Sequence, residues 1–225
     1  MTALASLSKF QGRYDRWLYI RQSYNLKWSS GNNSLQALQR FFSPNLTLES
    51  MLSKVREMMR LLPATMVATI RLAVLTGLRP TEACESVRLL NTLSSSDLRV
   101  YYNPEQQCLD HFRFPDIFLR QTKKAYISYI TKEQLSGIGI SGPKTPTTWN
   151  AIRMACRHRN IDMDMRLCRK IHGSWLHKQG ISTEEVDFLE GRVSPSVFGR
   201  HYLTPDSTLR QRVLVAVSQL EKEIK

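Results

Sequence analysis

Residues 64–82 read ATMVATIRLAVLTGLRPTE, and this stretch sets the fold class. From Ala64 to Thr76 it is apolar nearly all round, the pattern of a helix enclosed by other elements. Gly77 then ends the helix, because glycine accepts the left-handed backbone of a C-terminal cap without steric cost. Pro80 stands where a new helix can start, since its missing N–H would be unpaired there in any case. That helix runs on through Ala83, Val87 and Leu90. Upstream of the quoted stretch, from Thr47 to Pro63, Leu48, Met51, Leu52, Val55, Met58 and Met59 fall on one helical face.

Further out, the character changes twice. Leu98–Tyr102, Asp116–Arg120 and Ala125–Thr131 are short and rich in Tyr, Phe, Ile and Val, and predict a small three-stranded antiparallel sheet with a Lys-bearing turn. After a Gly/Pro loop over 137–146, helical patterns return at 147–159, 164–179, 183–190, 195–203 and 206–224. The fold class is therefore mainly α with a small antiparallel β-sheet (α+β). Residues 1–46 differ from the domain at 47–225: they mix Ser, Asn and Arg with Tyr14, Trp17, Tyr19, Tyr24, Trp28, Phe41 and Phe42, and 29–33 reads as a break. Two readings of those aromatics stand, a nucleic-acid surface and a small cluster packed on the main body. The final segment, with Leu209, Val213, Leu214, Val217, Leu220 and Ile224, either packs on its own core or docks on a neighbouring copy.

Charge narrows the function. Among 225 residues, 32 Lys+Arg face 19 Asp+Glu, for a net charge of +13. Such an excess concentrates polyanions, with nucleic acid and anionic membrane surfaces the candidates. The run from Met66 to Leu78 contains Arg71 and is too short to span a bilayer, and the N-terminus carries no secretory signal. Cys84, Cys108, Cys156 and Cys168 are dispersed, without CxxC or zinc-type spacing, which reads as reduced intracellular thiols and no metal site. No cofactor motif is present.

Several basic residues sit at helix ends and turns. Arg79 follows the buried helix, with Glu82 at i+3 able to orient its guanidinium. Arg166 and Arg169 share a helix face whose opposite side carries Leu167, Ile171 and Trp175, and two guanidiniums at that spacing can fork onto one phosphate. Arg192 follows Leu189-Glu190-Gly191, and Tyr202 lies in Gly199-Arg200-His201-Tyr202-Leu203-Thr204-Pro205.

Taken in order, these segments resemble the tyrosine recombinase (phage integrase) family over residues 47–225. Thr76-Gly77-Leu78-Arg79 with Glu82 resembles its first arginine box, the Thr-Lys-Lys turn its hairpin lysine, Arg169 to Ser182 its second box, and Leu189-Glu190-Gly191-Arg192 its third. The resemblance implies that family's catalytic-domain fold. It implies that Tyr202 is the nucleophile, with Arg79, Lys123, Arg166, Arg169 and Arg192 as catalytic partners and Glu82 in support. Lys123 is taken over Lys124 because the family's pattern puts the catalytic lysine first. Lys124, Lys170 and Arg200 are expected DNA contacts. The implied reaction joins DNA to Tyr202 through a 3′-phosphotyrosyl bond and then rejoins it, without metal or cofactor. Arginine stands at 166 and 192 where the family has His or Lys and His or Trp. Its high pKa makes it a poor proton shuttle, so no evident base takes the phenolic proton. His201 is an alternative acceptor, although helical neighbours face different ways.

The all-arginine pattern resembles integrases of archaeal viruses and plasmids of the fusellovirus type. That implies integration of a mobile element into a chromosome, in the cytoplasm of a host cell. The expected partners are double-stranded DNA and, on it, three further copies in a homotetramer, with a monomer or weak oligomer when free. Two alternatives remain: a type IB topoisomerase-like nicking-closing enzyme, and a non-catalytic DNA-binding relic. Because the family carries a larger N-terminal domain, residues 1–46 are expected to be its remnant or a linker. The chain is accordingly expected to be a C-terminal fragment or a short form that binds DNA weakly, with an affinity that falls as salt rises.

Overall fold

In the computed structural model, which describes residues 2–26, 47–120, 123–138, 147–161, 164–192 and 208–225, the chain divides into two units, Met1–Leu46 and Thr47–Lys225. The described part of the first holds two short helices, α1 (Thr2–Phe10) and α2 (Tyr14–Ser23). No residue of α2 is buried, and Tyr19 and Tyr24 are exposed. Trp28, Phe41, Phe42 and the break at 29–33 lie outside the described residues.

The second unit opens with α3 (Leu48–Leu61), α4 (Ala64–Thr76) and α5 (Pro80–Thr92). The Thr47 hydroxyl accepts from Ser50 N–H at 3.2 Å and caps α3. As its pattern predicts, α4 is enclosed: every residue from Leu72 to Thr76 is buried, as are Ala68, Thr69 and Ile70. Arg71 interrupts that pattern because it has partners, donating to the Gly137 carbonyl at 2.6 Å and pairing with Glu221. Gly77 ends α4 at φ +67°, its N–H bonded to the Ala73 carbonyl.

The region 98–131 holds the expected small antiparallel three-stranded sheet, but its strands are not the three expected segments. Residues 98–101 belong to a helix, α6 (Ser95–Tyr101), because the Ser94 hydroxyl accepts from Asp97 N–H at 3.2 Å and starts it. Residues 116–118 lie in a one-turn helix, α7 (Pro115–Phe118), which Pro115 opens. The strands that do form are two residues each: β1 (Tyr102–Asn103), β2 (Cys108–Leu109), β3 (Leu119–Arg120), β4 (Lys123–Lys124) and β5 (Ser128–Tyr129). They make an antiparallel β1-β2-β5 sheet and a separate β3-β4 hairpin that pairs Arg120 with Lys123. Thr131 and Gln134 then form a capping box that turns the chain into α8 (Lys132–Gly137).

The last four described helices are α9 (Trp149–His158), α10 (Arg166–Lys178), α11 (Thr183–Leu189) and α12 (Leu209–Ile224). The expected helix at 195–203 lies outside the described residues. On α10, Ile171 and Trp175 are buried as expected, whereas Leu167 is only half-buried and Cys168, His172 and Leu176 complete the inner face. Within the chain the stripe on α12 is covered by its own core: Val213, Val217, Leu220 and Ile224 are buried, and Trp175 Nε1 donates to the Ala216 carbonyl at 2.8 Å. All four cysteines are free and buried, and no described helix is long and apolar enough to cross a membrane.

A buried polar chain links α5, α6 and β5. Tyr101 Oη donates to Ser86 Oγ at 2.8 Å and lies 3.0 Å from His111 Nδ1, while His111 Nε2 lies 2.9 Å from Ser128 Oγ. Burial pushes the His111 pKa down to about 3, so the native ring is neutral. The unfolded chain takes up that proton near pH 6.5, so this contribution to stability is complete above that value. It is lost progressively as pH falls towards about 3. Urea midpoints should therefore fall between pH 7 and pH 4, and less steeply in His111→Phe; equal slopes would remove His111 from the account.

Candidate active site

Two buried carboxylates organise the basic residues. The side chains of Glu82 and Glu190 are both 0% exposed, and a carboxylate at that depth is costly unless paired. Glu82, in the first turn of α5, reaches back to accept from Arg79 N–H and from Arg79 Nη1, each at 2.9 Å. It thereby caps the helix and fixes the guanidinium at once. Arg120, from β3, comes within 3.8 Å of the same carboxylate and donates to Thr81 Oγ1 at 3.4 Å.

Glu190, directly after α11, holds the other pair. Its Oε2 is 3.1 Å from Arg169 Nε and 2.6 Å from Arg192 Nη2, and its backbone carbonyl accepts from Arg169 Nη2. Arg169 Nη1 donates to the Gly77 carbonyl at 2.9 Å, which ties α10 to the end of α4. Two of the five N–H groups of Arg169 thus donate to backbone carbonyls, Nε faces the Glu190 carboxylate, and among the described residues the second N–H of each Nη stays open to a ligand. Burial pushes the Arg169 pKa down to about 10; Glu190 pulls it up, and Arg79 and Arg192 push it down again. The guanidinium remains cationic at neutral pH, in a setting where a bound anion would relieve repulsion.

Glycines permit this approach. A Cβ on Gly77 would lie 2.4 Å from His172 Nδ1, and one on Gly173 would lie 2.9 Å from Glu190 Oε1. A Cβ on Gly191, at φ +65°, would lie 1.7 Å from the Lys124 carbonyl. That carbonyl also accepts from Arg79 Nη1 at 3.2 Å, so the end of the β3-β4 hairpin is fastened beside the arginines.

Of the residues expected from sequence, Arg79, Glu82, Arg169 and Arg192 therefore converge, with the backbone of Lys124 among them and Lys123 one position earlier in β4. Arg166 is 76% exposed and 3.3 Å from Asp164, yet with Arg169 it lines one cavity of about 370 Å³, along with Arg79, Thr81, Arg120 and Trp149. Lys170 is exposed and lines a second hollow of about 330 Å³ beside Arg192. Tyr202, Arg200 and His201 lie outside the described residues.

Glu190, His172, Arg120 and Trp149 belong to the site but were not singled out by the sequence reading. For Glu190 a signal existed: an acid at a helix C-terminus opposes the dipole, so it needs partners from elsewhere. His172 Nδ1 lies 3.5 Å from Glu190 Oε1. Comparisons of the chain with protein-family models, curated proteins and solved structures return no match.

Removing Glu190 leaves a deeply set guanidinium without its counter-charge. Glu190→Ala should cost about 3 kcal/mol in urea denaturation. Asp187→Ala removes only the 3.1 Å partner of the half-exposed Arg192 and should cost no more than about 1 kcal/mol. Equal costs would show that Glu190 is not the organiser.

Proposed function

We propose that the chain is a site-specific DNA recombinase that cleaves and rejoins DNA through a 3′-phosphotyrosyl intermediate on Tyr202. The supporting observation is the convergence of Arg79, Arg169 and Arg192, distant in sequence, on the two buried carboxylates beside the Lys123-Lys124 strand. Phosphoryl transfer gathers negative charge on phosphorus and its oxygens, and prepositioned cations lower that barrier most. Guanidiniums already held by Glu82, Glu190 and the Gly77 carbonyl need little reorganisation when the phosphate arrives.

In this reading Tyr202 Oη gives its proton to solvent water and attacks in line, the new P–O bond forms, and the bond to the 5′-oxygen breaks. Lys123 gives that departing oxygen its proton. Arg79 and Arg169 hold the non-bridging oxygens, Arg166 and Arg192 add charge from either side, and Lys124, Lys170 and Arg200 bind the flanking backbone. A 5′-hydroxyl of another strand reverses the step, so no external energy source is required. Assembly on DNA as a homotetramer remains part of the proposal.

Incubation with a nicked duplex that traps the intermediate tests this. Wild type should yield a covalent protein–DNA adduct, with EDTA present, and Tyr202→Phe should yield none. Arg169→Gln should slow adduct formation by roughly 100-fold or more, the scale of losing one charge-stabilising donor. Absence of adduct from wild type would refute the proposal, and relaxation of plasmid without exchange between marked duplexes would reassign it to a type IB topoisomerase.

A further inference from the structure

Two hollows meet at Arg169, and they differ in charge. The one beside α11 has Asp187 and Glu190 in its wall together with Lys170 and Arg192. The other, of about 370 Å³, presents Arg79, Arg120, Arg166 and Arg169, with no carboxylate among the described residues of its lining, although Arg166 also lies 3.3 Å from Asp164. The acid that fixes Arg79 stands behind it, since Glu82 has no exposed side-chain surface.

Of these four guanidiniums, Arg120 alone has no part in the cleavage step described above. Arg79 and Arg169 are pinned by short contacts to protein oxygens, as befits groups that position one phosphate. Arg120 is held loosely, 3.8 Å from Glu82 and 3.4 Å from Thr81, and its side chain is 46% exposed. Among the described residues its remaining donors therefore stay open for a second anionic group. Trp149, half-buried, contributes an aromatic wall to the same cavity. Guanidiniums interleaved with an aromatic ring suit a nucleotide, whose base or sugar packs on the ring while its phosphates take the charge. The volume lies within the roughly 300–1,000 Å³ of sites that enclose a small organic ligand.

We infer that this cavity takes one nucleotide with both of its phosphates: the first on Arg79, Arg166 and Arg169, the second on Arg120, and the base or sugar against Trp149. The inference deepens the DNA reading above and rests on it, adding Arg120 and Trp149 as substrate-binding residues that fix which phosphate is presented for attack.

Fluorescence titration of the full chain with thymidine 3′,5′-bisphosphate, and separately with inorganic phosphate, tests it. The bisphosphate should bind more tightly than phosphate and quench emission, and Trp149→Phe should abolish that quench. Arg120→Gln should weaken the bisphosphate about tenfold or more while weakening phosphate by no more than about threefold, because only one charge-assisted contact is removed. Arg79→Gln should weaken both. Unchanged bisphosphate affinity in Arg120→Gln and Trp149→Phe, or no preference for bisphosphate in wild type, overturns the inference. Its failure is separable from that of the cleavage reading. An adduct on Tyr202 without these effects removes the subsite alone, and these effects without an adduct leave a nucleotide site but no strand cleavage.

Discussion

Glu190 is the contact on which the rest of the site depends. Its carboxylate has no exposed surface, yet it faces Arg169, Arg192 and His172 at 3.1, 2.6 and 3.5 Å. A buried charge of this kind adds little net stability compared with an apolar replacement, but removing one partner leaves the others stranded. What it contributes is position. It holds a cation that burial and two neighbouring arginines would otherwise disfavour, and it sets that cation against the end of α4. Glu82 does the same for Arg79 from the opposite end of the junction.

The scaffold around these carboxylates is built for close approach. The enclosed α4 fixes the Gly77 carbonyl that Arg169 uses, and Gly191 lets the chain beyond α11 lie against the hairpin at Lys124. One backbone oxygen, that of Lys124, thus links Arg79 to the hairpin on which Lys123 is carried. Side chains from four separated segments are brought to one place by helix ends and a hairpin, elements whose geometry is rigid enough to keep guanidiniums aligned.

Much of this was legible in the sequence, and the reasons differ by element. The helices α3, α4, α5, α9, α10, α11 and α12 follow from apolar periodicity punctuated by Pro63, Gly77 and Pro80, signals that are local and strong. The region 98–131 misled because Tyr, Val and Phe favour strands, whereas Ser94 and Pro115 initiate helical turns there and tertiary packing accepts them. Arg79 and Glu82 could be paired from their i, i+3 spacing. Arg120 on Glu82, and Glu190 between Arg169 and Arg192, join residues whose sequence separation carries no periodic signal, so only the folded arrangement displays them. The own-core packing of α12 was likewise undetermined, since an apolar stripe looks the same whichever surface covers it.

The central claim is that Tyr202 and the arginines act on one phosphorus. A crystal structure of the full chain with a DNA duplex interrupted at the cleavage position and orthovanadate bridging the gap tests this most directly. The account predicts vanadium bonded to Tyr202 Oη, with Arg79 and Arg169 donating to its equatorial oxygens and Glu190 still behind Arg169. Vanadate bound in the arginine cavity with Tyr202 remote from it, or seated away from Arg169 altogether, would contradict the account.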